Sequence, residues 1–229
     1  MRVRKLHDWQ LSPAEARRLQ AQLAPQVELR PLPRRITLVA GADLAVSREL
    51  GMLFATVLVF RYPEMELVEQ AGARDRASFP YVPGLLTFRE GPALLKAFAR
   101  LRQAPDVVIF DGQGLAHPRR LGLACHMGLW LGLPTVGCAK SRLIGEHERP
   151  GLAKGDSAPL LDKGEQIGVV LRTRDGVKPT FVSPGHLADF ATSEKMVLDC
   201  CRRFRLPEPT RQAHMAVGRL KAQCVLRLG

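Results

Sequence analysis

Two short, mostly apolar segments, residues 36–43 and 106–111, limit the folds open to this chain more than any other feature. Each has the length and the Val, Ile, Leu and Phe content of a buried strand. Each also ends on an aspartate, Asp43 and Asp111. Burying a lone carboxylate costs several kcal/mol unless a partner compensates the charge. The two segments therefore predict a central sheet with a functional, negatively charged edge.

The other elements alternate around these strands. A capping box, Ser12-Pro13-Ala14-Glu15, predicts a helix over 13–23. Further strands are predicted at 53–60, 67–73 and 135–138, and a hairpin at 168–174 and 178–183. Further helices are predicted at 92–101, 119–131, 192–204 and 209–220, and residues 146–164 are interpreted as a loop. This order predicts an α/β protein of one domain, with a core of about 12–222. Its ribonuclease H-like mixed central sheet is flanked by helices.

The ribonuclease H-like architecture places acidic residues on the first strand, near the first crossover helix and at the end of the fourth strand. Asp43, Glu90 and Asp111 occupy these places. Oxygen ligands without Cys or His suit Mg²⁺, with Mn²⁺ as a substitute. With a phosphodiester bound, such ions activate water and stabilise the leaving oxygen. The alternative is that each aspartate is only a helix cap or turn residue, but three acids in register favour the metal site.

A proline-stiffened stretch, residues 79–92, precedes Glu90. Pro80 and Pro83 restrict the backbone on both sides of Tyr81 and Val82, so an aromatic and an aliphatic side chain are held on a rigid loop. Such a loop can act as a wedge, and Gly84 behind it permits close approach of a ligand. The alternative is an ordinary turn before a helix.

The charge balance favours a polyanionic partner. There are 34 Lys and Arg against 22 Asp and Glu, a formal net charge of +12, so nucleic acid is the leading candidate. A solvated basic face is the alternative. No secretory signal or membrane-spanning run is found, and the five cysteines form no C-x-x-C pair. We expect a cytoplasmic monomer with reduced, mostly buried thiols and no membrane contact.

Three further features bear on chemistry. Lys140 follows a short strand and could hold a phosphate or orient water, and His214 on the last helix could act as a general base. Each has a structural alternative, a surface lysine and a helical histidine. The run Asp111-Gly112-Gln113-Gly114 lacks the third glycine of a dinucleotide fingerprint, so its glycines indicate close approach of the backbone to a ligand.

The chain resembles the endonuclease V family in five places, in order along nearly its whole length. The matching runs are AGAD at 40–43, PYVPGLL at 80–86 with FRE at 88–90, DGQG at 111–114 with AHPR at 116–119, GCAKS at 137–141, and SPGH at 183–186.

The resemblance implies a DNA repair endonuclease that recognises deaminated adenine and nicks the strand a short distance 3′ of it, leaving a 3′-hydroxyl and a 5′-phosphate. It implies metal ligation by Asp43, Glu90 and Asp111, assisted by His214 and Lys140. The implied DNA wedge is Pro80, Tyr81, Val82 and Pro83. The implied base pocket is Gly84, Leu86, Gly112, Gly114, Gly122 and Gly137. The implied phosphate and DNA contacts are Arg89, His117, Lys140 and Ser141.

The residue chemistry agrees with this implication. Deamination turns the adenine 6-amino donor into a carbonyl acceptor, which glycine N–H groups can satisfy, whereas adenine would face them donor to donor. Two alternatives stay open. One is a flap, junction or mismatch nuclease that reads DNA shape, and the other is a lesion-binding module that does not cut. Inosine-containing RNA also remains open as a substrate beside inosine-containing DNA.

Overall fold

The computed structural model describes residue 1 and residues 3–228, with side chains through residue 224. Its strands are β1 (Leu38–Ser47), β2 (Met52–Arg61), β3 (Glu66–Arg76), β4 (Val107–Phe110), β5 (Thr135–Ala139), β6 (Ser157–Asp162), β7 (Glu165–Leu171) and β8 (Thr180–Pro184). Its α-helices are α1 (Pro13–Leu23), α2 (Leu86–Ala99), α3 (Leu123–Leu131), α4 (Phe190–Cys200) and α5 (Glu208–Leu228).

The strands form one sheet in the order β3-β2-β1-β4-β5-β8-β7-β6. The first three make an antiparallel meander, β4 and β5 run parallel to β1, and β8 returns antiparallel to β5. The predicted mixed central sheet is therefore confirmed. Separate apolar clusters cover its two faces, one built with α2 and α3 and the other with α4 and α5.

The prediction of a loop over 146–164 is wrong, because this stretch contains β6 at the edge of the sheet. Its burial alternates, with Ala158 and Leu160 facing inward. Pro159 made this stretch read as a loop in the sequence, because proline is unusual in strands, although an edge strand tolerates it. Lys163 and Gly164 both adopt positive φ, 56° and 81°, as a two-residue hairpin turn to β7 requires.

Helix α2 begins at Leu86, six residues before the predicted start at Pro92. Proline inside a helix removes one backbone hydrogen bond. Here the first turns are nevertheless helical because Thr87 and Phe88 are buried. Helix α1 matches its prediction, and both bonds of the Ser12–Glu15 capping box are present. Helix α3 begins at Leu123, four residues later than predicted.

The cysteines and the helices bear on two further predictions, reduced thiols and no membrane-spanning run. All five cysteines are free, and four are buried: Cys125, Cys138, Cys200 and Cys201. Within the described part of the chain, no helix combines the length and apolar character needed to cross a bilayer.

Candidate active site

Asp43 and Asp111 meet at one edge of the parallel part of the sheet. Strands β1 and β4 pair from Val39 opposite Val107 to Ala42 opposite Phe110. The residue after each paired stretch is an aspartate, Asp43 within β1 and Asp111 directly after β4. Strand β1 continues beyond Asp43 to Ser47, paired only with β2, so Asp43 lies where β1 and β4 separate. Both side chains are largely buried, with 13% and 18% exposed.

Helix α5 brings His214 to Asp43. Its first turn lies directly on β1 at Gly41, where an added Cβ would be 2.1 Å from the Pro209 carbonyl carbon. This close approach places His214 Nδ1 2.7 Å from Asp43 Oδ2. An ionised carboxylate only accepts, so Nδ1–H donates and Nε2 remains directed away from Asp43. The predicted proximity of His214 to the acidic site is therefore present.

Glu90, on the second turn of α2, is electrostatically coupled to both aspartates. Burial, together with the charges of Asp43 and Asp111 and against the opposing charge of Arg89, raises the pKa of Glu90 to about 8. Burial is also the main reason that the pKa of Asp43 is raised, and Asp111 adds to this shift. The three carboxyl groups therefore repel one another in a poorly solvated environment.

Lys140 follows β5 and pairs with Asp111, with 2.5 Å between Nζ and Oδ2. Arg205 supports its backbone, since one guanidinium nitrogen donates to the Lys140 and Pro179 carbonyls at 2.8 and 2.7 Å. The neighbouring Ser141 is exposed, and its carbonyl accepts from Gln113 Nε2 at 3.0 Å. Lys140 is thus held at the same edge as the acids.

Among the described residues, no three His, Cys, Asp or Glu side chains form an assembled metal cluster. Asp43 is engaged with His214, and Asp111 with Lys140. The donor chemistry nonetheless fits a hard cation, because Glu90, Asp43 and Asp111 are mutually repelling oxygen donors at one edge. These residues are suitable in type and charge, although their ligand arrangement is not complete.

The loop before α2 presents Tyr81 to solvent, with 71% of the residue exposed. Pro80 and Pro83 are exposed as well, while Val82 packs partly against the small cluster of Phe79, Leu85 and Phe88. The loop therefore has an anchored apolar base and a projecting aromatic tip.

The carbonyl of Gly84 anchors this loop to the rest of the fold. It accepts hydrogen bonds from Gln20 Nε2 at 3.0 Å, His117 Nε2 at 3.0 Å and an Arg119 guanidinium nitrogen at 2.9 Å. Gln20 Oε1 in turn accepts from Arg119 Nε at 2.6 Å. Burial lowers the pKa of His117 to about 4, so its ring is neutral at pH 7. We call Gln20, His117 and Arg119 the loop anchor.

A cavity of about 350 Å³ lies between the loop and the acidic edge. Its lining contains five sets of predicted site residues: the wedge residues Tyr81, Val82 and Pro83, the pocket residues Gly84, Leu86, Gly112 and Gly122, the acid Asp111, the anchor residue His117, and Lys140 with Ser141. Gly114 and Gly137 do not line it. They lie beneath it, where an added Cβ would be 2.1 Å from the Pro184 oxygen and 2.5 Å from the Gly114 nitrogen, respectively.

Two predicted DNA-contact residues have hydrogen-bond partners within the protein. His117 is 3% exposed and binds Gly84, and Arg89 donates to the Phe79 carbonyl at 2.6 Å. Sequence reasoning missed Gln20, although a polar residue between Ala16 and Leu23 on the buried face of α1 was a readable signal. It also missed Arg142 and Leu143, which line the cavity directly after Lys140 and Ser141.

Comparisons with known proteins decide the family. The sequence profile of the family described as Endonuclease V matches residues 21–215. This chain belongs to the endonuclease V family. The predicted resemblance is therefore confirmed.

Relatives of this family match over nearly their full lengths. Endonuclease V of Dehalococcoides mccartyi is 48% identical over 220 residues, covering 96% of this chain and 99% of the relative. The crystal structure of endonuclease V from Streptomyces avermitilis superposes with a TM-score of 0.91 at 40% identity, covering 95% of this chain and 96% of that one. Endonuclease V of Ciona intestinalis, in complex with a 24mer DNA containing an inosine followed by a ribo-adenosine, has a TM-score of 0.77 at 26% identity, covering 92% and 98%.

Proposed function

We propose that this protein is a divalent-metal-dependent endonuclease that cleaves nucleic acid 3′ of a deaminated adenine, leaving a 3′-hydroxyl and a 5′-phosphate. The observation that carries the proposal is the cavity that connects the Tyr81 loop to Asp111 and Lys140. A base turned out of its strand into this cavity would lie beside the carboxylates. Its volume is within the usual range for small-ligand sites, roughly 300–1,000 Å³. Family membership and the inosine-containing DNA bound to the Ciona protein support the choice of lesion.

Recognition of hypoxanthine would rest on backbone donors. Helix α2 starts at Leu86 without a side-chain cap, and the first N–H groups of a helix have no intrahelical acceptor. Leu86 and Thr87 line the cavity, so their N–H groups can meet the hypoxanthine carbonyl. Adenine would present an amino group to the same donors. Each buried group left unpaired costs about 1–3 kcal/mol, which disfavours adenine.

Strand opening would rest on the projecting loop. Tyr81 at its tip has an aromatic surface large enough to replace a base in the stack, and the loop anchor prevents the loop from yielding. Base flipping costs least at a mismatched pair, so an inosine site favours insertion before the cavity is filled. We assign Arg89 and His117 to positioning this loop.

Asp43, Glu90 and Asp111 would hold the metal ion. Mg²⁺ or Mn²⁺ bound there would offset the repulsion among these carboxylates, and would supply a Lewis acid for the phosphodiester and a lower pKa for bound water. The carboxylates orient the site, and the Asp43 bond to His214 leaves its Nε2 as an acceptor for a proton from water. Lys140 and Ser141, at the cavity rim, are positioned to contact the phosphate.

The test is nicking of a labelled duplex carrying one inosine, with Mg²⁺, beside the same duplex with adenine. A deoxy- and a ribonucleotide 3′ of the inosine are compared. We expect one cut 3′ of inosine in the wild type and none with Asp43→Asn or Asp111→Asn, while Glu64→Gln, a surface control, cuts normally. Equal cutting of the inosine and adenine duplexes would indicate a shape-reading nuclease, and tight binding without cutting would indicate a lesion-binding module.

A further inference from the structure

Beside the acidic edge, the structure exposes a second aromatic side chain that neither the fold nor the proposed chemistry uses. Among the described residues, the exposed large apolar side chains include two aromatic ones, Tyr81 and Phe204, and Phe204 is 46% exposed. Phe204 lies in the segment between α4 and α5. A single exposed apolar residue is ordinary in itself, but the surroundings of Phe204 are not.

Phe204 is held rigidly on one side. The Arg211 guanidinium lies over its ring, with Cζ 4.2 Å from the ring centroid. Glu208 fixes Arg211 through two contacts, at 2.6 Å from Nη2 and 3.2 Å from Nε to the same carboxylate oxygen. Glu208 itself is only 7% exposed. An aromatic ring backed by an immobilised cation, with remaining surface open to solvent, is suited to stacking against a base.

Both flanks of Phe204 lead to the candidate active site. The next residue, Arg205, holds the Lys140 carbonyl at 2.8 Å. Arg211 lies one helical turn before His214, which contacts Asp43. Asp111 and Lys140 line the cavity, whereas Phe204 and Arg211 do not. Phe204 therefore lies outside the cavity, next to the segment of Lys140 on one side and to the α5 turn that carries His214 on the other.

We propose that Phe204, backed by Arg211, is a stacking platform for a nucleobase of the substrate strand on the 3′ side of the cleaved bond. The inference rests on the proposed function, which puts the altered base in the cavity and the cut 3′ of it. A strand in that register passes the acidic edge and continues toward Phe204. Arg203, which directly precedes the ring, is exposed, as expected where a phosphate backbone passes. Arg202 is exposed as well, but its guanidinium donates to the Pro63 carbonyl.

The platform can be tested by a cycle of protein and substrate changes. The dissociation constant is measured by fluorescence anisotropy, in EDTA to prevent cutting, for single-stranded oligonucleotides containing inosine. In a series of these strands, one abasic residue replaces each successive nucleotide on either side of the inosine. Wild type, Phe204→Ala, Phe204→Tyr and the control Leu67→Ala are compared, because Leu67 is another exposed apolar residue, 51% exposed on β3.

We expect Phe204→Ala to weaken binding of the complete strand roughly 5- to 150-fold, the range for loss of one stacked base. Phe204→Tyr and Leu67→Ala should bind as the wild type does. An abasic residue at one position 3′ of the cut should weaken wild-type binding by a similar factor and leave Phe204→Ala unchanged. Two results would overturn the platform. One is unaltered binding by Phe204→Ala, and the other is that the losses caused by the substitution and by the abasic residue multiply at every position of the series.

The same titrations separate the two proposals. Wild-type preference for inosine over adenine strands tests the proposed function. If the wild type shows no preference for inosine, but the effect of one abasic residue still depends on Phe204, lesion recognition is refuted and the platform stands. If the wild type prefers inosine, but the effect of an abasic residue depends on Phe204 at no 3′ position, the platform alone is refuted.

Discussion

Replacing Glu90 with Gln should stabilise the protein in the absence of metal, by an amount that grows with pH. Burial, with the charges of Asp43 and Asp111, raises the pKa of Glu90 from 4.5 to about 8. One pKa unit corresponds to about 1.36 kcal/mol. Relative to a glutamate whose pKa does not change on folding, the raised pKa therefore costs the folded state roughly 5 kcal/mol of stability at pH 9, about 3 kcal/mol at pH 7 and almost none at pH 4. Glutamine has a similar shape and no charge, so it removes this cost.

The direction of this change in stability with pH follows from proton binding. Because the pKa is raised, the folded state holds the Glu90 proton more tightly than the unfolded state does. Its contribution to stability is complete below about pH 4.5 and is lost as pH rises through about 8. The difference in unfolding free energy between Glu90→Gln and wild type should therefore be small at pH 4 and large at pH 9.

Urea denaturation in EDTA at pH 4, 7 and 9 measures this difference, with Glu64→Gln as the surface control. The control should stay within about 0.5 kcal/mol of wild type. Adding Mg²⁺ should stabilise wild type more than the variant, since a ligand stabilises only the state that binds it. A Glu90→Gln effect that is destabilising, or equal at all three pH values, would refute the argument that buried like charges dominate this site.

Three further outcomes are expected. Gly41→Ala should displace α5 at Pro209 and lower the free energy of unfolding in urea by roughly 1–3 kcal/mol. It should also remove most cleavage, because His214 is separated from Asp43. Full activity would contradict the role of this close approach. Gln20→Leu removes one donor to the Gly84 carbonyl, and should reduce cleavage of an inosine duplex more than of an inosine single strand; equal losses would argue against the loop anchor. With a net charge of +12, raising the salt from 50 to 200 mM should weaken DNA binding by orders of magnitude, about 10³-fold for six phosphate contacts; affinity independent of salt would exclude a phosphate-based interface.

Local signals were sufficient for several elements. The capping box at Ser12 predicted α1 to the residue, because the bonds that start this helix join residues only three apart. Strand β6 and the start of α2 were missed for the opposite reason. Pairing with β7 decides β6 despite Pro159, and burial of Phe88 decides the first turns of α2 despite Pro92. Tertiary contacts override local propensity in both places.

The sequence by itself determined the family, the apolar strands that end on or run through Asp43 and Asp111, and the stiffness of the Tyr81 loop, since these depend on residue type and short spacing. Only the tertiary structure decided which groups meet. His214 contacts Asp43 across 171 residues of chain because α5 lies on β1 at a glycine. Gly84 receives its donors from α1 and from the segment before α3. Contacts of this kind depend on how sheet and helices pack, which no local pattern encodes.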